Sequence, residues 1–200
     1  MAKRHEHESQ ADMQASSLIV ACEYPQAEAI NGPLERAFTE LSDSDFERRS
    51  HFIGGRFENL YLKAERLPGL SDLLSFGLEQ ARTLLSSGRA DWLDEPMATH
   101  QPLRIGFWAN AMQSGQSTSR HSHEEHDELL SGVYYVSARA DSGDILFHDS
   151  PFQTRVQPRP GLMLLFAPAL EHSVEINRSD AQRLSIAFNI GPGPSSPMPR

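Results

Sequence analysis

The chain has 200 residues, enough for one domain with an elaboration and too few for two full-sized enzymes. Lysine and arginine number 18 against 27 aspartates and glutamates, a formal charge of −9, which argues against a phosphate-binding face and so against a nucleic-acid partner. A single cysteine, Cys22, excludes an internal disulfide, a thiolate metal site and a redox pair, and fits a reducing compartment.

No run of apolar residues approaches the roughly 18 that a membrane span needs; the longest early one is Leu18–Cys22. Lys3-Arg4 is followed by His5-Glu6-His7-Glu8 rather than an apolar stretch, so no signal peptide is read and the cytoplasm is the expected location, with no membrane partner. Residues 1–16 and the Pro- and Gly-rich 191–200 read as flexible tails around a single domain, 17–190. Within it, 17–102 reads as a helical elaboration. Leu34, Ala37, Phe38 and Leu41 follow Asn31-Gly32-Pro33 at helical spacing, with Pro33 placed in a first turn. Leu70, Leu73, Leu74, Ala81, Leu84 and Leu85 repeat the pattern after Pro68-Gly69, with Ser71 as the cap region and Gly88 closing the run.

From residue 103 the period changes. Short runs rich in Val, Ile, Tyr and Phe predict strands near Arg104–Ala109, Gly132–Ala138, Asp144–His148, Leu162–Ala167, His172–Asn177 and Arg183–Ile190, with Ser119–His123 as a further candidate. Turns such as Ala140-Asp141-Ser142-Gly143 separate them. Helices followed by strands give an α+β, mainly β class, with N-terminal helices supporting one sheet of a sandwich or jelly roll over 103–190.

Five of the nine histidines fall between positions 121 and 172: His121, His123, His126, His148 and His172. On an extended strand the imidazoles of His121 and His123 project to one face and can share a metal ion. Neutral imidazole suits iron, zinc, copper or nickel, and His172, at the start of a distant strand, is placed to close the set. The plain alternative is that His121–Glu128 is a solvated polar connection. His126 and His148 fit surface or supporting roles equally well, and His5, His7, His51 and His100 have no supporting partners. In Arg183-Leu184-Ser185 a guanidinium and a hydroxyl share one strand face, a grip suited to a carboxylate. A metal beside such a clamp describes a site for a chelating 2-oxo acid.

These residues carry a resemblance. Trp108-Ala-Asn110, Gly115, His121-Ser-His123, Leu130-Ser-Gly-Val-Tyr-Tyr-Val136, Ser142-Gly-Asp-Ile-Leu-Phe147, His172-Ser-Val and Arg183-Leu-Ser-Ile-Ala-Phe-Asn189 together resemble a family of 2-oxoglutarate/Fe(II)-dependent oxygenases over about 103–190. The resemblance implies a double-stranded β-helix, ferrous iron, 2-oxoglutarate as cosubstrate, molecular oxygen, and oxidation, by hydroxylation, of a small-molecule or amino-acid-like substrate with release of succinate and CO2. It assigns the metal to His121, His123 and His172, and the cosubstrate to Arg183 and Ser185, with no catalytic residue beyond the metal site. Two departures keep the ligand set open: Glu124 stands where the family has proline, and the loop before Leu130 is longer. His123 with Glu125, His126 with Glu128, and a carboxylate from Asp149 are the alternatives. The residues also resemble, less completely, the cupin metal motif, which would use three histidines and Glu128 without 2-oxoglutarate. A non-catalytic β-barrel binding module is the third reading. Trp108, Asn110 and Tyr134 are the expected substrate-pocket residues; of Tyr134 and Tyr135, adjacent on a strand, one faces inward. A homodimer is the base-rate expectation.

Overall fold

The computed structural model describes residues 18–94, 96–98, 100–123 and 127–194; of the two expected tails, only 191–194 falls within them. In chain order the elements are strand β1 (Ile19–Glu23), helix α1 (Ala27–Thr39), strands β2 (Arg48–Ile53) and β3 (Arg56–Tyr61), and helix α2 (Leu70–Ser86). Eight strands follow: β4 (Leu103–Met112), β5 (Thr118–His121), β6 (Leu130–Ser137), β7 (Ile145–Asp149), β8 (Phe152–Val156), β9 (Leu162–Phe166), β10 (His172–Val174) and β11 (Arg183–Pro192).

All pairings are antiparallel. Seven strands form one sheet in the order β1-β9-β6-β11-β4-β3-β2, and four form the other, β5-β10-β7-β8. The result is the expected mainly β class, a double-stranded β-helix supported by two helices.

Period-two alternation sorts the central strands into two cores. Tyr134 and Val136 of β6, Met163 and Leu165 of β9, and Leu184, Ile186, Phe188 and Ile190 of β11 face the helices, where Leu34, Leu70, Leu73, Leu84 and Leu85 meet them. Val133, Tyr135, Leu162, Leu164 and Phe166 face the smaller sheet and meet Ile145 and Phe147. Burying each such aliphatic side chain stabilises the fold by about 1.5–3 kcal/mol relative to leaving it exposed. Gly132 is required by this packing: a Cβ there would lie 2.3 Å from the Phe188 ring.

Several local expectations are corrected. The segment 17–102 is not purely helical; β1, β2 and β3 come from it and extend the larger sheet. Their sequences hid them, since Arg48–Ile53 is largely exposed and lacks an apolar face. Helix α1 begins six residues before Pro33 rather than at it, because Ala27 and Ile30 pack against the core and this outweighs the lost proline N–H bond. Helix α2 is preceded by Gly69, at φ 76°, so Ser71 is its second residue and not its cap. Strand β8 was not expected, β10 is shorter than His172–Asn177, and β11 runs on to Pro192. Among the described residues no helix is long and apolar enough to cross a membrane.

Candidate active site

His121 ends β5 and His172 begins β10, and the two are register partners across the smaller sheet. Their ring centroids are 4.4 Å apart. His123 lies beyond the end of β5, correcting the expectation of one strand carrying both. Its backbone N–H donates to the Pro168 carbonyl at 2.9 Å, which returns its ring to within 5.0 Å of His121 and 5.2 Å of His172. One ligand nitrogen from each of the three lies within 4.8 Å of the others.

Two tautomers follow from the hydrogen bonds. His121 Nδ1 sits 2.8 Å from the Ser119 carbonyl and His172 Nδ1 3.0 Å from the Leu170 carbonyl. A carbonyl only accepts, so both Nδ1 atoms carry the proton and both Nε2 lone pairs are free for a metal. Burial pushes His172 down to about 3, with the neighbouring His121 adding to it. Burial likewise pushes His123 down to about 4, again with His121 next. Both are therefore neutral near pH 7, the state that ligates.

Arg183 enters the same cavity from β11, at 2 % exposure. Its Nη1 donates to the Gly143 carbonyl at 2.7 Å, and its guanidinium carbon lies 5.0 Å from the Tyr135 ring centroid. Gly143 holds φ 91° with the Glu175 carbonyl 2.2 Å from where a Cβ would be, so only glycine presents that carbonyl. A register shift between Leu184 and Ser185 is a bulge of the kind that re-aims side chains. Burial lowers the pKa of Arg183, opposed by Tyr135 and Asp144. Its Nε and the Tyr135 hydroxyl are buried and make no hydrogen bond of good geometry, the two side chains having mainly each other for polar company, and Arg183 pairs with no carboxylate among the described residues. A buried guanidinium left so is costly unless an anion completes it. Ser185, on the same face of β11, donates weakly to the Asn110 carbonyl at 3.4 Å.

The cavity holding these groups, about 60 Å³, is lined also by Trp108, Asn110, Thr118 and Glu58. Tyr134 is corrected: it faces the helices, where its hydroxyl donates to Asn31 Oδ1 at 2.7 Å and burial pushes its pKa up to about 12. Tyr135 is the inward tyrosine. His148 lies apart, held by Ser173 Oγ at 2.9 Å and Gln153 at 3.1 Å, and neither Asp149 nor Glu128 joins the histidine cluster. Glu125 and His126 lie outside the described residues.

Arg56 and Glu58 were missed. Arg56 of β3 donates to Asn110 Oδ1, the Ser117 carbonyl and Thr118 Oγ1, each at 3.1 Å, and more loosely to Glu58 Oε1 at 3.4 Å. It thereby ties β3 to strands of both sheets beside the histidines. Glu58 is 5 % exposed; burial raises its pKa, opposed first by Arg56 and then by His121. Arg-x-Glu spacing in a strand is a weak signal, and nothing local marks the pair as buried.

Residues 148–189 match the model of a family described as "Putative 2OG-Fe(II) oxygenase", a stretch that contains His172, Arg183 and Ser185. No curated protein sequence matches. Among solved structures, the chain is similar to a 2OG-Fe(II) oxygenase family oxidoreductase from Burkholderia pseudomallei, at 16 % identity over 88 % of this chain and 85 % of that one, TM-score 0.57. A Pseudomonas putida prolyl-4-hydroxylase aligns at 14 % identity over 90 % of each chain, TM-score 0.60. HygX from Streptomyces hygroscopicus, with nickel and 2-oxoglutarate bound, aligns at 16 % identity over 87 % of this chain and 82 % of that one, TM-score 0.56. The matched segment and the shared double-stranded β-helix are what the chain has in common with proteins of the 2-oxoglutarate- and Fe(II)-dependent oxygenase class, and its three clustered histidines could hold a metal ion. Ferrous iron and 2-oxoglutarate are the cofactor and cosubstrate of that class.

Proposed function

We propose that the protein hydroxylates a small, amino-acid-like substrate, with His121, His123 and His172 holding ferrous iron and Arg183 and Ser185 holding the distal carboxylate of 2-oxoglutarate. The observation that carries this is the convergence, in one cavity, of three imidazoles with a buried guanidinium that pairs with no carboxylate among the described residues. A three-histidine cupin would have no use for that guanidinium. When bound, iron, 2-oxoglutarate and oxygen supply the oxidant for a C–H bond, with succinate and CO2 as co-products. The chain's own groups bind, orient and exclude water. The Ser119 and Leu170 carbonyls aim Nε2 of His121 and His172, and the Gly143 carbonyl fixes the Arg183 fork. Rings of Phe147 and Phe166, 5.9 and 4.9 Å from His172, keep water from its back. Trp108 and Asn110 border the space left for substrate.

Anaerobic addition of ferrous iron and then 2-oxoglutarate tests the proposal. A weak visible band of the metal–keto acid chelate is expected, and Arg183→Ala should weaken 2-oxoglutarate binding at least about tenfold while iron affinity stays within about twofold. Equal loss of both would remove the clamp, iron binding without a band would favour the cupin reading, and no iron binding would return the histidines to solvent.

A further inference from the structure

A second cavity, about 160 Å³, opens from His121 and His123 and does not include Arg183. Two carboxylates line it, Glu58 and Glu128, with the aromatic pair Tyr61 and Trp108 and the amides of Asn59 and Asn189; no lysine or arginine does, among the described residues. The two rings form one wall, their centroids 6.0 Å apart at 41°. That wall already accepts a cation from the chain itself, since the guanidinium carbon of Arg48 sits 4.0 Å from the centroid of Tyr61. We propose that this cavity is the substrate chamber, and that the substrate carries an amine or guanidine cation read by Glu58 and Glu128 against the Trp108–Tyr61 wall. The inference rests on the oxygenase reading and adds the chemical class of its substrate.

Glu58 joins the two spaces, lining both cavities. Arg56 meets only its Oε1, at 3.4 Å, and spends its shorter bonds on neutral acceptors, and Thr118 is the other side chain that hydrogen-bonds to it; a carboxylate has about four acceptor sites, so capacity remains for a further donor. A cation held there lies beside the histidines, which brings the carbons near it within reach of the metal position. Carboxylates supply charge and hydrogen bonds, and the aromatic faces supply cation–π attraction that strengthens as water leaves.

The test uses the metal-free protein and reads the Trp108 indole N–H by 15N NMR, the two tryptophan signals being assigned with Trp92→Phe. The probes are n-pentylamine beside n-pentanol, and butylguanidine beside butylurea, pairs alike in shape and unlike in charge. The cations are expected to shift the Trp108 signal at concentrations at least about tenfold lower than their neutral partners, and to lose that advantage in Glu58→Gln, which still offers Arg56 an acceptor, and partly in Glu128→Gln. Equal response to neutral and charged probes, no response to either, or an advantage intact in both variants overturns the proposal. Free lysine beside lysine in a capped tetrapeptide then tells a small-molecule source of the cation from a peptide one. Because no iron is present, failure here is separate from failure of the iron and 2-oxoglutarate titration.

Discussion

Strand β11 presents two opposite designs on its two faces. Toward the helices, Leu184, Ile186, Phe188 and Ile190 are each at most 1 % exposed and packed among other apolar groups. Toward the cavity, Arg183 and Ser185 are nearly as buried yet polar, and Arg183 leaves its Nε unsatisfied. Depth of burial therefore does not distinguish scaffold from site in this fold; the satisfaction of what is buried does. The helix-facing side stabilises, whereas the cavity side holds polar groups that the proposed function pairs with a ligand from solution.

Substitutions on the two faces should accordingly move stability in opposite directions. Phe188→Ala removes a ring packed beside Gly132 and Gly77 and is expected to cost about 3–5 kcal/mol, read as a fall in Tm or urea midpoint, with iron affinity of the folded fraction unchanged. Gly132→Ala attacks the same contact from the other side; with 2.3 Å to the Phe188 ring, the overpacking is expected to cost at least about 1–3 kcal/mol. Arg183→Met should do the reverse. Replacing a buried unpaired charge by an apolar side chain of similar length is expected to leave the 2-oxoglutarate-free protein as stable as wild type, or to stabilise it by about 1–2 kcal/mol, while abolishing 2-oxoglutarate binding. A loss of several kcal/mol on Arg183→Met would mean that the guanidinium belongs to the scaffold, and the contrast between the faces would fail.

The same contrast explains what the sequence disclosed. Strands β6, β9 and β11 were legible because they are buried on both faces and read as β-branched and aromatic runs between turns. Strand β2 was not, because the signal of an exposed edge strand such as Arg48–Ile53 lies in its pairing and not in its composition, and β1 and β3 were missed as short, half-buried segments set among helices. His121, His123, His172 and Arg183 announced themselves by residue type and spacing. The way His123 reaches the cluster did not, since it depends on a bond to the Pro168 carbonyl that is remote in sequence. Tyr134 and Tyr135 show the limit of alternation: it requires that they face opposite ways, but which one faces the smaller sheet depends on where the helices pack. Arg56 and Glu58 are the clearest omission, since their importance comes from burial between elements that no local pattern joins.

The smallest expected effect tests whether the histidines of the cavity behave as unpaired site groups or as ordinary core. His172 and His123 titrate at about 3 and about 4 in the folded chain, against an ordinary value of 6.5. Below pH 6.5 the unfolded chain therefore takes up protons that the folded chain refuses, and the metal-free protein loses stability as pH falls from 6.5 toward about 4; above 6.5 these two groups add no pH dependence. Between pH 7.5 and 5.5 one such histidine contributes a loss of about 1.4 kcal/mol. In His172→Phe, whose ring would join Phe147 and Phe166, that share disappears, so its urea midpoint should fall less over the same interval than that of the wild type. Equal falls would mean that His172 gains a counter-charge on protonation, and that the cavity already contains the anion that Arg183 is argued to await.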